Sequence, residues 1–330
     1  MKYFELGRSG LKASQLGLGC LSMSGGYGEI QDDAKSEDTI RRAIDLGVTL
    51  FDTSMSYGVD GHNQRLLGRA VKGRRDTVVI SSKFGSLVDD KGRRVGRDAS
   101  PKYVRYACEE TLKRIGIDVL DVLCLSRVDP GVPIEDTVGE MSRLIAEGKL
   151  RAAGLSECSA ATLARAHAVQ PITTLQIEYS LWTRDPEAEH LPLCRKLGIA
   201  VLAYAPLGRG FLAGAVRSDR DLPPGDHRRV FPRFQGDNFA HNARLLATLD
   251  EVAKSKSATP AQIALAWLLS RGPDVFPIPS GKQRRHLEEN VAACDVTLAP
   301  ADLARLEDAF HPGAARGTRY HPQGMREVNV

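Results

Sequence analysis

One unit repeats along this chain and limits what it can fold into: a short apolar stretch that ends in polar residues, followed by an amphipathic helix. The apolar stretches are "SQLGLGC", "GVTLFDTS", "TVVISSKFG", "VLDVLCLS", "LRAAGLSE", "ITTLQIEYS", "IAVLAYAPLG" and "DVFPIPSG". The helices after them are predicted near 35–46, 61–71, 100–116, 133–147, 159–168, 186–197, 238–255 and 283–293. Strands alternating with helices of this length imply parallel βαβ units. Eight such units point to a closed (β/α)8 TIM barrel rather than an open sheet. The 330 residues suit one such domain spanning 1–330. Three pieces stand outside the repeat. "YFELGRSGLKAS" reads as an N-terminal hairpin able to cover the barrel floor. The segment 205–237, rich in Gly, Arg and Pro, is too long for an ordinary connection. "TPAQIALAWLLSR" at 259–271 is a further helix that opens on a normal Thr-Pro start.

The charge balance excludes some functions. Lys and Arg number 45 against 41 Asp and Glu, a formal net charge of +4. The basic residues are scattered, apart from short clusters at 72–75 and 282–285, so there is no nucleic-acid footprint. The six cysteines, Cys20, Cys108, Cys124, Cys158, Cys194 and Cys294, form no CxxC and no metal-ligand spacing, and the eight histidines form no HxxxH. No metal is expected, and reduced thiols in the cytoplasm are the simplest account. "MKYFELGRSGLKAS" has no apolar core of signal-peptide length. No apolar run reaches ~18 residues, so no membrane span is expected. The expected partner is a small-molecule substrate, and oligomeric state is not legible.

A barrel concentrates its chemistry at the C-terminal ends of its strands. Those ends carry Gly19 and Cys20, Asp52 and Thr53, Lys83, Ser126 and Arg127, Ser156 and Glu157, Gln176 and Glu178, Tyr204 and Ser280. Any barrel rim needs polar residues to meet water, so position alone assigns no role. "FDTSMSYG" is more specific. Asp52 ends a strand, Tyr57 follows in the loop before the next helix, and "SSKFG" sets Lys83 at the end of the adjacent strand. A tyrosine titrates near pKa ~10, and a neighbouring ammonium is expected to lower that value. With Asp52 holding Lys83 charged, the phenol could protonate a developing alkoxide. On spacing alone, a structural ion pair beside an unrelated tyrosine stands equally.

Several motifs then fall in one order: "LGLGCLSMS", "FDTSMSYG" with "NQRLLG", "SSKFG", "GLSE", "LQIEYSLWTRDPE", "AYAPLGRGFLAG" and "PIPSGKQRRHLEENVAA". Over nearly its whole length the chain resembles the aldo-keto reductases, in particular the bacterial branch that is also similar to the potassium-channel β subunits. The resemblance implies a (β/α)8 barrel that binds NAD(P)H in extended form without a Rossmann fold. In agreement, "GLGCLS" lacks the third glycine of the dinucleotide fingerprint. It implies Tyr57 as proton donor, tuned by Lys83 and Asp52. It implies Gly19 and Cys20 at the cofactor site, and Ser156, Gln176 and Glu157 at the nicotinamide carboxamide, Glu157 standing where many relatives have asparagine. Tyr204 would stack on the nicotinamide, and Leu207, Gly208 and Gly210 would lie over the pyrophosphate. Glu289 and Asn290 match the positions that contact adenine. Around the ribose phosphate, Ser280, Lys282, Arg284 and Arg285 are available, with His286 where many relatives carry arginine. Their charge favours NADPH over NADH, the alternative being a solvated helix start.

The fourth catalytic position of that family is a histidine at the end of the fourth strand. Here the stretch is "CLSRVDP", and Ser126 stands in its place. Serine is shorter than imidazole and does not titrate near pH 7, so the mouth would be wider. Three readings follow: an NADPH-dependent carbonyl reductase that works with Ser126, a C=C reductase or redox-assisted lyase acting on a specialised metabolite, and a nicotinamide-binding regulatory protein with little turnover. Retention of Asp52, Tyr57 and Lys83 argues against the third. Substrate choice falls to the loops 22–34, 84–98, 127–133 and 205–237 and the tail from 311. Their Met23, Tyr27, Phe84, Phe231, Phe234 and Phe239 either line a pocket or pack the lid.

Overall fold

The computed structural model describes residues 1–25, 31–222 and 224–330. Tyr27 lies outside the described residues. A short antiparallel hairpin, β1 (Tyr3–Glu5) with β2 (Lys12–Ser14), precedes the first barrel strand, β3 (Leu18–Gly19). The next barrel strands are β4 (Leu50–Ser54) and β5 (Val79–Phe84). A second hairpin follows, β6 (Ser86–Val88) with β7 (Arg94–Arg97). The barrel continues with β8 (Leu120–Leu125), β9 (Leu150–Ser156), β10 (Ile172–Glu178), β11 (Ala200–Tyr204) and β12 (Val275–Pro277).

These strands form one eight-stranded sheet in the order β12-β11-β10-β9-β8-β5-β4-β3, every described pairing parallel. The sheet closes on itself where Gly17 N–H donates to Pro277 O (2.9 Å) and Gly19 N–H to Pro279 O (3.0 Å). Gly19 is needed at that seam, since a Cβ there would stand 2.9 Å from the Ile278 carbonyl oxygen. Strands β4, β5, β8 and β10 are buried along their whole length, as expected when helices cover one face and the barrel core the other.

Several helices start on a side-chain cap placed just before the apolar stripe. Asp32 accepts from the backbone of Ala34 and Lys35 at the start of helix Asp33–Asp45. Ser100 caps Pro101–Ile115, Ser159 caps Ala160–Val169, and Thr259 with Gln262 makes a capping box on Pro260–Leu269. Inside the floor, Leu6, Leu11 and Ala13 of the first hairpin pack on Leu50, Val79, Val122, Ala152 and Ala200. The hairpin therefore plugs the N-terminal end of the barrel and leaves the opposite rim open.

The structure departs from the sequence reading in places. The stretch 84–98, read as a loop, contains the β6–β7 hairpin. The helix predicted at 186–197 splits into a 3-10 turn at Asp185–Glu187 and a helix at His190–Leu197. Beyond the last barrel unit a helix forms at Pro300–Ala309, and the tail itself carries one at Pro322–Met325. Among the described residues, no helix is long and apolar enough to cross a membrane.

Candidate active site

A cavity of about 560 Å³ opens at the C-terminal rim. Asp52 and Lys83 lie at its base, both almost wholly buried. Register brings them together, since Asp52 pairs with Ser81, and Lys83 with Cys124 on the next strand. Lys83 Nζ donates to Asp52 Oδ2 at 2.5 Å, and Gln176 Nε2 donates to Asp52 Oδ1 at 2.7 Å. Burial works against the Lys83 charge, but Asp52 and the Tyr57 phenol outweigh it, so the ammonium is held above the ordinary lysine range. Tyr57, half-buried, places its ring centroid 4.9 Å from Lys83 Nζ.

The phenol does not titrate as the spacing suggested. Desolvation pushes its pKa up to about 12; Lys83 and Arg127 oppose that rise and Asp52 adds to it. The phenol therefore keeps its proton at neutral pH. The loop that holds it turns through Gly58, whose φ of 76° favours glycine. Asn63, which the sequence reading passed over, ties this region down. Its Nδ2 donates to Cys20 O (2.8 Å) and Ser24 Oγ (2.7 Å), and its Oδ1 accepts from Thr53 Oγ1 (2.7 Å). Only its place at the start of helix His62–Val71 hinted at this role.

Ser126 lines the same cavity beside Tyr57 and Lys83, held by a bond from its own N–H to Phe84 O (2.9 Å). Ser156 and Gln176, paired in register, also line it, as do Gly19, Tyr204, Leu207, Gly210, Ser280, Lys282, Glu289 and Asn290. Cys20, Glu157, Gly208, Arg284 and Arg285 do not. Cys20 is fully buried, and desolvation pushes its thiol pKa well above the usual range. Arg284 pairs with Glu288 (3.3 Å) and Asp38 (3.6 Å), and Arg285 donates to Gln283 Oε1 (2.9 Å).

Glu157 faces a different set of partners. Its carboxylate receives both Arg319 amino groups (2.7 and 2.6 Å), the Tyr204 hydroxyl (2.7 Å) and the Glu178 N–H (3.0 Å). Burial alone would raise its pKa, but Arg319 leads the opposing groups and brings it down to about 2. The Tyr204 hydroxyl also meets the Tyr320 hydroxyl at 2.8 Å, so the tail is fastened to the rim. Glu157, Ala205 and Arg209 all have positive φ (56°, 48° and 59°) at this rim. Each such residue costs roughly 1–3 kcal/mol and persists where its surroundings over-determine it. Met23, Phe84, Phe231, Phe234 and Phe239 are buried away from the cavity wall, so they pack core and lid.

The model of the Aldo/keto reductase family matches residues 15–310. The chain belongs to this family. "Probable aldo-keto reductase 1" of Glycine max is 41% identical over 319 residues, 96% of this chain and 91% of that protein. Among solved structures, a glycerol dehydrogenase from Gluconobacter oxydans matches with a TM-score of 0.83 and 26% identity, covering 91% of this chain and 92% of that one. An aldo/keto reductase from Klebsiella pneumoniae in complex with NADP and acetate matches with a TM-score of 0.75 and 28% identity, covering 97% and 99%. This reductase is thus an NAD(P)H-dependent oxidoreductase whose cofactor is NADP(H). Its cavity fits that cofactor chemically: amide and hydroxyl groups of Gln176 and Ser156, the Tyr204 ring, and the cationic Lys282 beside Glu289 and Asn290 share one continuous wall.

Proposed function

We propose that this reductase converts the carbonyl of an aldehyde or ketone to an alcohol, with Tyr57 as proton donor. The observation that carries the reading is the Asp52–Lys83–Tyr57 cluster on the cavity wall, with Gln176 bonded to the same aspartate. Bound NADPH supplies the hydride to the carbonyl carbon. Tyr57 gives its proton to the carbonyl oxygen as negative charge develops there. An alkoxide is a far stronger base than a phenolate, so even a phenol with a pKa near 12 transfers its proton downhill. Lys83, held cationic by Asp52, stabilises the phenolate left behind.

The same chain's residues would hold the cofactor. Ser156 and Gln176 take the carboxamide, with Gln176 Oε1 still able to accept after its amide has bonded Asp52. Tyr204 would stack on the nicotinamide, Leu207 and Gly210 would cover the pyrophosphate, Lys282 would meet the ribose phosphate, and Glu289 with Asn290 would take adenine, all of them lining the cavity. Glu157 leaves this set, because its carboxylate is committed to Arg319 and Tyr204. The six cysteines are all unbridged, and we place the protein in the reducing cytoplasm.

Ser126 at the histidine position favours a second reading, reduction of a conjugated C=C bond. An enone probe separates the two: proton NMR of the product shows an allylic alcohol if C=O is reduced and a saturated ketone if C=C is. The carbonyl reading requires NADPH oxidation that depends on added aldehyde or ketone. A panel of such probes that leaves the NADPH signal at its protein-free rate overturns it.

A further inference from the structure

The cavity wall carries Arg94, Arg127, Arg209 and Arg228. A carboxylate matches each of the others: Glu327 with Arg94, Glu178 with Arg209 (2.8 Å) and Asp226 with Arg228 (2.8 Å). Just behind them, Arg319 is paired with Glu157. Among the described residues, no carboxylate lies within ion-pair distance of Arg127. Its Nη1 donates to the Ser126 carbonyl (2.6 Å), and its Nη2 reaches the Tyr320 hydroxyl only at 3.4 Å. Its Nε is buried without an acceptor. Glu157 acts on this guanidinium only from beyond ion-pair distance and is itself paired with Arg319, so the direct partners of a largely buried cation are two neutral oxygens, and a buried Nε left without an acceptor is costly. Such a group is accounted for when a ligand brings the missing anion.

The location suits that role. Arg127 follows Ser126 directly at the end of β8, the strand paired with the Lys83 strand. Its charge acts on the Tyr57 phenol. Ser126, being small, leaves room between the guanidinium and the phenol for part of a substrate. The adjoining wall is formed by Ser56, Ser86 and Tyr320, none of them anionic.

We infer that the substrate carries a carboxylate in addition to its carbonyl, and that Arg127 binds that carboxylate at the mouth of the site. This assignment of substrate class rests on the carbonyl-reductase reading. The planar guanidinium can offer paired N–H groups to a planar carboxylate, which fixes orientation as well as affinity. The carbonyl is then presented to Tyr57 by a contact remote from the reacting atoms, the task left open by the absent histidine.

The test uses benzoate, its neutral counterpart benzamide, and phenyl phosphate, titrated calorimetrically into NADP+-loaded protein. Benzoate should bind about tenfold or more tightly than benzamide. Arg127→Gln should abolish that preference and Arg127→Lys should keep part of it, thermal melting showing that both variants fold. In parallel, the ratio of kcat/KM for 4-carboxybenzaldehyde over benzaldehyde should exceed about ten in the wild type, mainly through KM, and fall near one in Arg127→Gln. Equal binding of benzoate and benzamide by the wild type, or an unchanged preference in Arg127→Gln, overturns the inference, as does a preference for phenyl phosphate over benzoate. The two readings fail separately: Arg127-dependent benzoate binding without any aldehyde reduction keeps the anion site and removes the reductase chemistry, whereas benzaldehyde reduction without a benzoate preference does the reverse.

Discussion

Ser126 and Glu157 show how single residues set this site. Ser126 lines the same cavity wall as Tyr57, the proton donor proposed above. If its value is the space it leaves, its hydroxyl contributes at most one bond, worth about 0.5–1.5 kcal/mol. Ser126→Ala should then lower kcat/KM by less than about tenfold. Ser126→His should raise turnover of small aldehydes and lower that of bulkier ones in the same steady-state assay; loss of all activity in Ser126→Ala would make the hydroxyl a principal catalytic group. Glu157 contributes through its charge. Its carboxyl pKa falls from the ordinary 4.5 to about 2 because Arg319 outweighs the effect of burial. The stabilisation is therefore fully present above pH ~4.5 and is lost as pH falls through about 2. Urea unfolding should place the Glu157→Gln midpoint below the wild type at pH 7, with the gap closing as the pH is lowered through that window. A gap independent of pH would show that the carboxylate charge is not the source. Little of this was legible in the sequence. Arg319 lies 162 residues from Glu157, and no local pattern links them. The rise of the Tyr57 pKa likewise comes from burial by the whole rim, whereas spacing reveals only the neighbouring ammonium.

The elements were far more legible, for a physical reason. Each barrel strand is a short apolar run closed by polar residues, and several helices open on their own cap, so local signal and final packing agree. The β6–β7 hairpin escaped because "DDKGR" between its strands is polar throughout and its register shifts at Leu87/Val88. The first hairpin was legible and has a testable role. Leu6 is fully buried against the floor strands and far from the cavity rim. Leu6→Ala should lower unfolding free energy by about 2–5 kcal/mol, read from denaturant midpoints. The kcat/KM of the folded variant should stay at the wild-type level, because the plug closes the end opposite the chemistry. A matching fall in kcat/KM would mean that the floor and the rim are mechanically coupled.

At the scale of the whole molecule, the barrel separates stability from reaction. The floor is closed by an apolar plug, while the strand ends gather groups from distant parts of the chain into one wall: Asp52, Tyr57, Lys83, Ser126, Gln176 and Tyr204. The tail completes that wall through Tyr320 and is fastened by Arg319 to Glu157. The central claim is that this wall directs a hydride to a carbonyl carbon while Tyr57 delivers the proton. Its most direct test follows the hydride. Protein is incubated with 4-nitrobenzaldehyde and NADPH deuterated at both C4 positions of the nicotinamide, and the product is read by mass spectrometry and proton NMR. The account predicts 4-nitrobenzyl alcohol with a single deuterium on the carbinol carbon, formed about 10²–10⁴-fold more slowly by Tyr57→Phe. Alcohol without deuterium, or an undiminished rate in Tyr57→Phe, would contradict it.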